Sequence, residues 1–312
     1  MSICPSRPAI PFAFATIALS GSVDAERLRR GRERLALLGT HIDDEIDATA
    51  QWRYFAGDDG QRLTSLHRAL ASEADVVLFA RGGYGLSRLL DRIDWSDVAA
   101  SRKVFCGYSD VTAFSLAALA RANYVTFAGP VTAGEFAQTE NDDARNFAER
   151  HFVALLSSDR YVYPTATSDV DHGNGAVRGT LWGTNLAMIT HLVGTPFMPQ
   201  IDDGILLLED IGEAPYRVER MFWQLKHAGI LDRQRAIILG SFTDCEPAAG
   251  MRYPYSLVEA IETLREIAPC PVLTGFPFGH IPAKVTLPMG APAEIAISGT
   301  QYTLSVRDYF SR

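Results

Sequence analysis

Two rhythms of apolar and polar positions alternate along the first half of the chain. Phe12–Leu19 is a mostly apolar run of strand length, whereas Asp24–Leu38 places Leu28, Leu35 and Leu38 on one helical face. Gly39 is expected to close that helix at its C′ position. A second helix spans Asp58–Ala71, with Leu63, Leu66 and Leu70 spaced three and four apart. Val76–Ala80 (VVLFA) has no polar side, as in a central parallel strand covered on both faces. Lys103–Gly107 reads as another strand, Val111–Arg121 as a helix, and Val125–Ala128 as a strand closed by Gly129 and Pro130. Asp142–Leu156 is the last helix of this series. Such a βαβ succession predicts a doubly wound, Rossmann-like parallel sheet whose ligands meet the carboxyl ends of the strands.

The pattern changes after residue 156. Residues 157–175 (SSDRYVYPTATSDVDHGNG) are polar with scattered Pro and Gly, and are expected to link two domains. Beyond them, Val177–Leu181, Ile205–Leu208, Ala236–Gly240 and Pro271–Gly275 read as strands, Arg217–His227 and Tyr255–Glu266 as helices. Ala293–Ser298 and Thr303–Val306 alternate around Gly299-Thr300-Gln301, a terminal hairpin. The expected fold class is α/β. It comprises a Rossmann-like domain over 1–156, a linker, and an α+β, β-rich domain over 176–312.

A chain of 312 residues buries enough surface to need no disulfide or metal staple. Its net charge of −8, from 29 basic and 37 acidic residues, disfavours nucleic acid and anionic membrane as partners. Ile10–Leu19 follows Arg7 and is apolar, but prolines interrupt its start and no A-x-A site follows, so a first strand explains it better than a signal peptide. No run reaches the roughly 18 apolar residues that span a bilayer. Cys4, Cys106, Cys245 and Cys270 form no C-x-x-C pair and no zinc-finger spacing. The expectation is a cytoplasmic protein with reduced cysteines, no metal and no cofactor.

Four segments carry candidate chemistry. In Phe105-Cys106-Gly107-Tyr108-Ser109-Asp110-Val111 a buried strand runs into a helix with Ser109 at the corner, as in a nucleophile elbow. The pattern G-x-S-x-G is not met, because Val111 takes the last position. The competing reading is that Ser109 or Asp110 only caps the helix. Arg81-Gly82-Gly83-Tyr84-Gly85 follows the VVLFA strand, and its amides, with that of Asp110, suit an oxyanion hole. A dinucleotide loop G-x-G-x-x-G starting at Gly83 would need Gly at 88, where Arg88 stands; a plain tight turn is the third reading. Gly204–Glu213 is an apolar strand ending in Glu209, Asp210 and Glu213, a carboxylate cluster that calls for a partner such as His. The competing reading is a solvated turn with acidic helix caps, which suits Glu213 better than Glu209. Finally, Gly275-Phe276-Pro277-Phe278-Gly279-His280 frames one His rigidly, as a general base requires, although a lone His is often structural.

These segments resemble the LD-carboxypeptidase family of serine peptidases. The resemblance runs from Leu19-Ser20-Gly21 to the hairpin and rests on RGGYG (81–85), GYSD (107–110), GTLWGTNL (179–186), LLLEDIGEAPYRVER (206–220) and GHIPAKVTLPMG (279–290). It implies Ser109 as nucleophile, Glu209 as acid, His280 as base, and the amides of Gly83 and Asp110 as oxyanion donors. It also implies a cytoplasmic homodimer that releases terminal D-alanine from murein tetrapeptides in cell-wall recycling. A branch of the family inactivates peptide–nucleotide antibiotics. Arg81, Gly82, Tyr84, Asn185 and Arg217 are expected to contact the substrate, Arg81 or Arg217 through its free carboxylate. ALSG (18–21) and GTNL (183–186) depart from the family pattern, and Thr184 is expected to bear on the substrate groove. Rivals from other classes are a non-catalytic nucleotide binder and a general esterase; the first βα turn, with Gly21 alone, argues against the former.

Overall fold

The computed structural model describes residues 2–42, 48–247, 249–250 and 254–311. The first half supplies strands β1 (Phe12–Ile17), β2 (Gly39–His41), β3 (Val76–Phe79), β4 (Val104–Gly107) and β5 (Thr126–Ala128). Between and after them run helices α1 (Ala25–Leu35), α2 (Asp59–Ala71), α3 (Trp95–Ala100), α4 (Thr112–Ala122) and α5 (Asp142–Leu156). The strands are parallel in the order β5-β4-β3-β1-β2. Alternate residues explain the two layers of helices. Ile17, Val77, Phe79 and Phe105 pack with Leu63 and Leu66 of α2, Val98 of α3 and Phe114 of α4. Phe14, Val76, Leu78 and Val104 pack with Leu35 of α1 and Phe152 of α5 on the other face. A sheet buried on both sides has no polar face, which is why β3 reads VVLF. The winding reverses between β1 and β3, so a crevice opens at their carboxyl ends.

The second half adds β6 (Arg160–Val162), β7 (Ala166–Thr167), β8 (Asn174–Asn185), β9 (Gly204–Ile211), β10 (Gln234–Thr243), β11 (Val272–Leu273), β12 (Leu287–Met289), β13 (Pro292–Ser298) and β14 (Gln301–Arg307). Helices α6 (Leu186–Leu192), α7 (Pro215–His227) and α8 (Leu257–Ile267) connect the parallel strands β8 to β11. The sheet runs β11-β10-β9-β8-β13-β14-β6, antiparallel from β8 onward, with β7 also on β14. The fold class is α/β, as expected. The second sheet is mixed, and its strands β8 to β10 extend well beyond the apolar runs that announced them.

Three local expectations change. Residues 157–175 are no bare linker: Arg160–Val162 and Ala166–Thr167 both pair with β14. Their polarity reflects an edge position, where one side of each strand meets water. The division of the chain at 156 is also crossed, because β12 pairs antiparallel with β5 in the first sheet. Gly39 does not cap α1, which ends at Leu35; it opens β2, where a side chain would strike the Phe12 carbonyl oxygen at 2.0 Å.

Helix α1 lies against the segment after β5, with Leu28 packed in one cluster with Ala133 and Gly31 set against the Thr132 backbone. A Cβ on Gly31 would stand 1.9 Å from the Thr132 carbonyl oxygen. Alanine improves helix propensity by about 1 kcal/mol, but a clash with backbone has no side chain to give way. Gly31→Ala is therefore expected to lower unfolding stability by about 1–3 kcal/mol in a urea titration. A stability equal to or above wild type would contradict this contact.

Candidate active site

Loops from the carboxyl ends of β1, β3, β4 and β11 meet over a cleft of about 490 Å³, with Asp24, Arg27, Arg81, Gly83, Ser109 and His280 on its walls. Ser109 arrives there by a sharp turn. Strand β4 ends at Gly107, Tyr108 is extended, and Ser109 has φ 67° before a one-turn helix leads into α4. A non-glycine residue in the left-handed region is uncommon and is held there by its surroundings. Those surroundings are specific. Gly82 abuts the turn so closely that a Cβ on it would lie 2.7 Å from Ser109 Cβ and 3.0 Å from its Oγ. Asp110 Oδ2 accepts hydrogen bonds from Ser20 Oγ (2.7 Å) and the Leu86 amide (3.0 Å). Burial pushes the Asp110 carboxyl up, and the Ser20 bond opposes that. Buried Arg62 donates to the carbonyls of Leu19 (2.5 Å) and Gly85 (2.9 Å). The end of β1, the glycine loop and the serine turn thus form one tied unit. The first hydrogen-bonded amide of the following helix is that of Val111, to Tyr108 O at 3.4 Å. The Asp110 amide precedes this ladder, as the first amides of a helix do.

The residues expected as acid and base come from the second sheet. Glu209, on β9, is 0% exposed; its Oε2 accepts from His280 Nδ1 at 2.8 Å, and its Oε1 has no partner among the described residues. Donation from Nδ1 leaves Nε2 as the basic nitrogen. Strand β10 sets the spacing between them. A Cβ on Gly240 would lie 2.4 Å from the Phe278 carbonyl oxygen and 3.4 Å from Glu209 Cβ. The Ser241 amide donates to Phe278 O (2.8 Å) and Thr243 Oγ1 to His280 O (3.2 Å), which anchors the loop. The imidazole's one hydrogen bond among the described residues is to Glu209; Ser109 borders the same cleft without bonding to it.

The neighbouring carboxylates do other work. Asp210 accepts from Asn185 Nδ2 and the Ala187 amide, each at 2.9 Å, and burial pushes its carboxyl up to about 6. Glu213 lies 3.8 Å from Arg217 on the exposed start of α7. Of the residues expected to meet substrate, Arg81 and Gly82 line the cleft and Tyr84, Asn185 and Arg217 do not. Tyr84 packs its exposed ring against Phe55. Asn185 is buried as the cap of α6, through Met188 N at 3.0 Å. Thr184 is buried too, with φ 133°, and its hydroxyl meets that of Thr112 at the start of α4, so it lies behind the groove.

Two features escaped the sequence reading. Arg27, in the first turn of α1, lines the cleft, and its guanidinium makes no hydrogen bond or ion pair among the described residues. Its signal was its place just after the first βα turn, where ligands gather. The other is a cluster of half-buried Tyr108 with buried Glu135 and Lys284 beside His280. Among the described residues no three His, Cys, Asp or Glu side chains group as a metal site requires. Among the described residues no helix is long and apolar enough to cross a membrane.

The N-terminal and C-terminal domains of the LD-carboxypeptidase family match residues 14–129 and 178–295. A Streptomyces coelicolor protein named as a carboxypeptidase is 37% identical, over 95% of this chain and 94% of its own. The solved muramoyltetrapeptide carboxypeptidase of Oxalobacter formigenes superimposes with a TM-score of 0.87 at 35% identity, over 96% of this chain and 100% of that one. The microcin C7 self-immunity protein of Escherichia coli is 28% identical, over 75% of this chain and 74% of its own.

The carboxylate geometry makes a direct prediction. Glu209→Gln is expected to slow hydrolysis by roughly 10⁴-fold, through loss of the Nδ1–H tautomer and of charge beside the imidazolium. Glu213→Gln should stay within about twofold of wild type, since its partner is a surface arginine. Steady-state rates of both variants decide it, and the reverse order would assign the acid to Glu213.

Proposed function

Because this chain belongs to the LD-carboxypeptidase family, we propose that it releases the terminal D-alanine of murein tetrapeptides by cleaving an L,D-peptide bond. The observation that carries this reading is the buried Glu209–His280 bond of 2.8 Å on the cleft that Ser109 borders. In the reaction, His280 Nε2 removes the Ser109 proton and Oγ attacks the carbonyl before the D-residue. Glu209 stabilises the imidazolium that results. The amides of Gly83 and Asp110 take the oxyanion, each contributing on the order of 3 kcal/mol. The imidazolium then protonates the departing D-alanine, and water hydrolyses the acyl-enzyme.

An exopeptidase must also recognise a free carboxylate. Arg217 is paired outside the cleft, so this role falls to Arg27 with Arg81, whose Nη1 already bonds Ser22 O at 2.9 Å. Two guanidinium groups in one cleft favour an anionic ligand despite the net charge of −8. The reading includes a cytoplasmic homodimer acting on recycled peptides; its free cysteines suit a reducing compartment.

Incubation with murein tetrapeptide should liberate D-alanine, quantified by chiral chromatography. Ser109→Ala should reduce the rate by on the order of 10⁴–10⁶-fold while remaining folded. Efficient cleavage of an aminoacyl sulfamoyl nucleotide, with tetrapeptide untouched, would move the protein to an antibiotic-inactivating role. Rapid hydrolysis of simple esters alone would make it an esterase.

Arg27→Ala should raise KM for the tetrapeptide by about 10-fold or more, the worth of a charged hydrogen bond. A substrate with an amidated C-terminus should lose that same factor on wild type and nothing further on the variant. An additional loss on the variant would place the carboxylate elsewhere.

A further inference from the structure

Beside the imidazole lies a charge cluster, buried at Lys284 and Glu135 and half-buried at Tyr108, that takes no chemical step in acyl transfer. Lys284 is 0% exposed, and its Nζ donates to Glu135 Oε1 at 2.5 Å. The same Nζ stands 3.3 Å from the centroid of the Tyr108 ring. The Tyr108 hydroxyl donates to that same Oε1 at 3.1 Å, and Glu135 Oε2 accepts from the amide of Val131, a cleft-wall residue, at 3.1 Å. The Tyr108 ring also packs edge-on against His280, with centroids 5.0 Å apart. One aromatic ring is therefore bonded through the chain to the nucleophile and packed against the base.

The two ends of the cluster come from different halves of the molecule. Tyr108 and Glu135 follow β4 and β5, whereas His280 and Lys284 share the loop between β11 and β12. A buried ion pair is a poor stabiliser, because desolvation offsets its attraction, and an apolar replacement is often neutral or better. Burial lowers the Lys284 pKa, and Glu135 opposes that shift. What the pair supplies in return is direction: a carboxylate with both oxygens engaged and a cation seated on one ring face allow Tyr108 a single placement.

We infer that Lys284, Glu135 and Tyr108 are positioning residues, a clasp that holds the Ser109 turn and the His280 ring in register for proton transfer. This rests on the Ser109–His280 reading of the site, so its test includes a reaction that needs that pair and no peptide. A fluorophosphonate labels a serine activated by a base, and its rate reports their alignment without substrate recognition.

Lys284→Met keeps volume and removes charge. It is expected to lower kcat and the labelling rate together by roughly 100-fold, with KM within about twofold, as misplacement near 1 Å would. Tyr108→Phe removes only the tether to Glu135 and should lower both by about 10-fold with Tm close to wild type. Wild-type kcat and labelling in Tyr108→Phe, or in folded Lys284→Met, would overturn the clasp. So would a loss seen only in KM, or one that tracks the unfolded fraction as temperature rises. If Lys284→Met does not fold, Tyr108→Phe decides alone. A wild-type protein that no fluorophosphonate labels at Ser109 would instead remove the serine-peptidase reading, and the clasp with it.

Discussion

A carboxylate without water has to find a partner within the protein, and Glu209 finds one, the Nδ1–H of His280. Much of the second sheet serves that meeting. Strands β9, β10 and β11 are parallel, so their carboxyl ends lie on one edge and the loop after β11 can return across β10 to β9. Gly240 leaves the room for it, since a side chain there would occupy the place of the Phe278 carbonyl. Asp210 follows in the same strand, and successive side chains point to opposite faces, so one carboxylate bonds His280 and the next accepts from the Ala187 amide at the start of α6.

The first sheet solves a different problem, the presentation of a hydroxyl from a buried strand. Ser109 stands in the left-handed region because the chain must turn at once from β4 into the helix. The strain is contained by ties on every side: Asp110 to Ser20 and Leu86, Arg62 to Leu19 and Gly85, and Gly82 in van der Waals contact. None of these ties is itself chemistry. Their common effect is that the glycine loop, the Ser109 turn and the end of β1 are tied into one unit, the rigidity that a preorganised site needs.

The two halves are interlocked as well as adjacent. Strand β12 belongs in sequence to the second half and in space to the first sheet. Trp182, Leu186 and Leu206 pack in the same core as Ile17, Phe79 and Phe105. Thr112, which opens α4 after the Ser109 turn, meets Thr184 and the Asn185 amide of β8. Ser109 and His280, carried by separate sheets, can hold a fixed relation only if the sheets cannot slide, and a shared core with a crossed strand opposes sliding.

Periodicity is local, so the sequence by itself determined the alternation of strands and helices, the uniform burial of VVLF, the corner at Ser109 and the framed His280. Edge strands 160–162 and 166–167 were illegible because a half-exposed polar strand looks like a loop until its partner, β14, is known. Gly39 looked like a helix terminator because sequence cannot distinguish a glycine needed for φ from one needed for close strand approach. The bond of Glu209 to His280 was expected from the sequence, whereas the entry of Arg27 into the cleft and the pairing of Lys284 with Glu135, 149 residues away, were decided only by the tertiary structure. The reason is physical: propensity and pattern act over a few residues, whereas contacts between distant side chains exist only once desolvation and packing have brought their strands together.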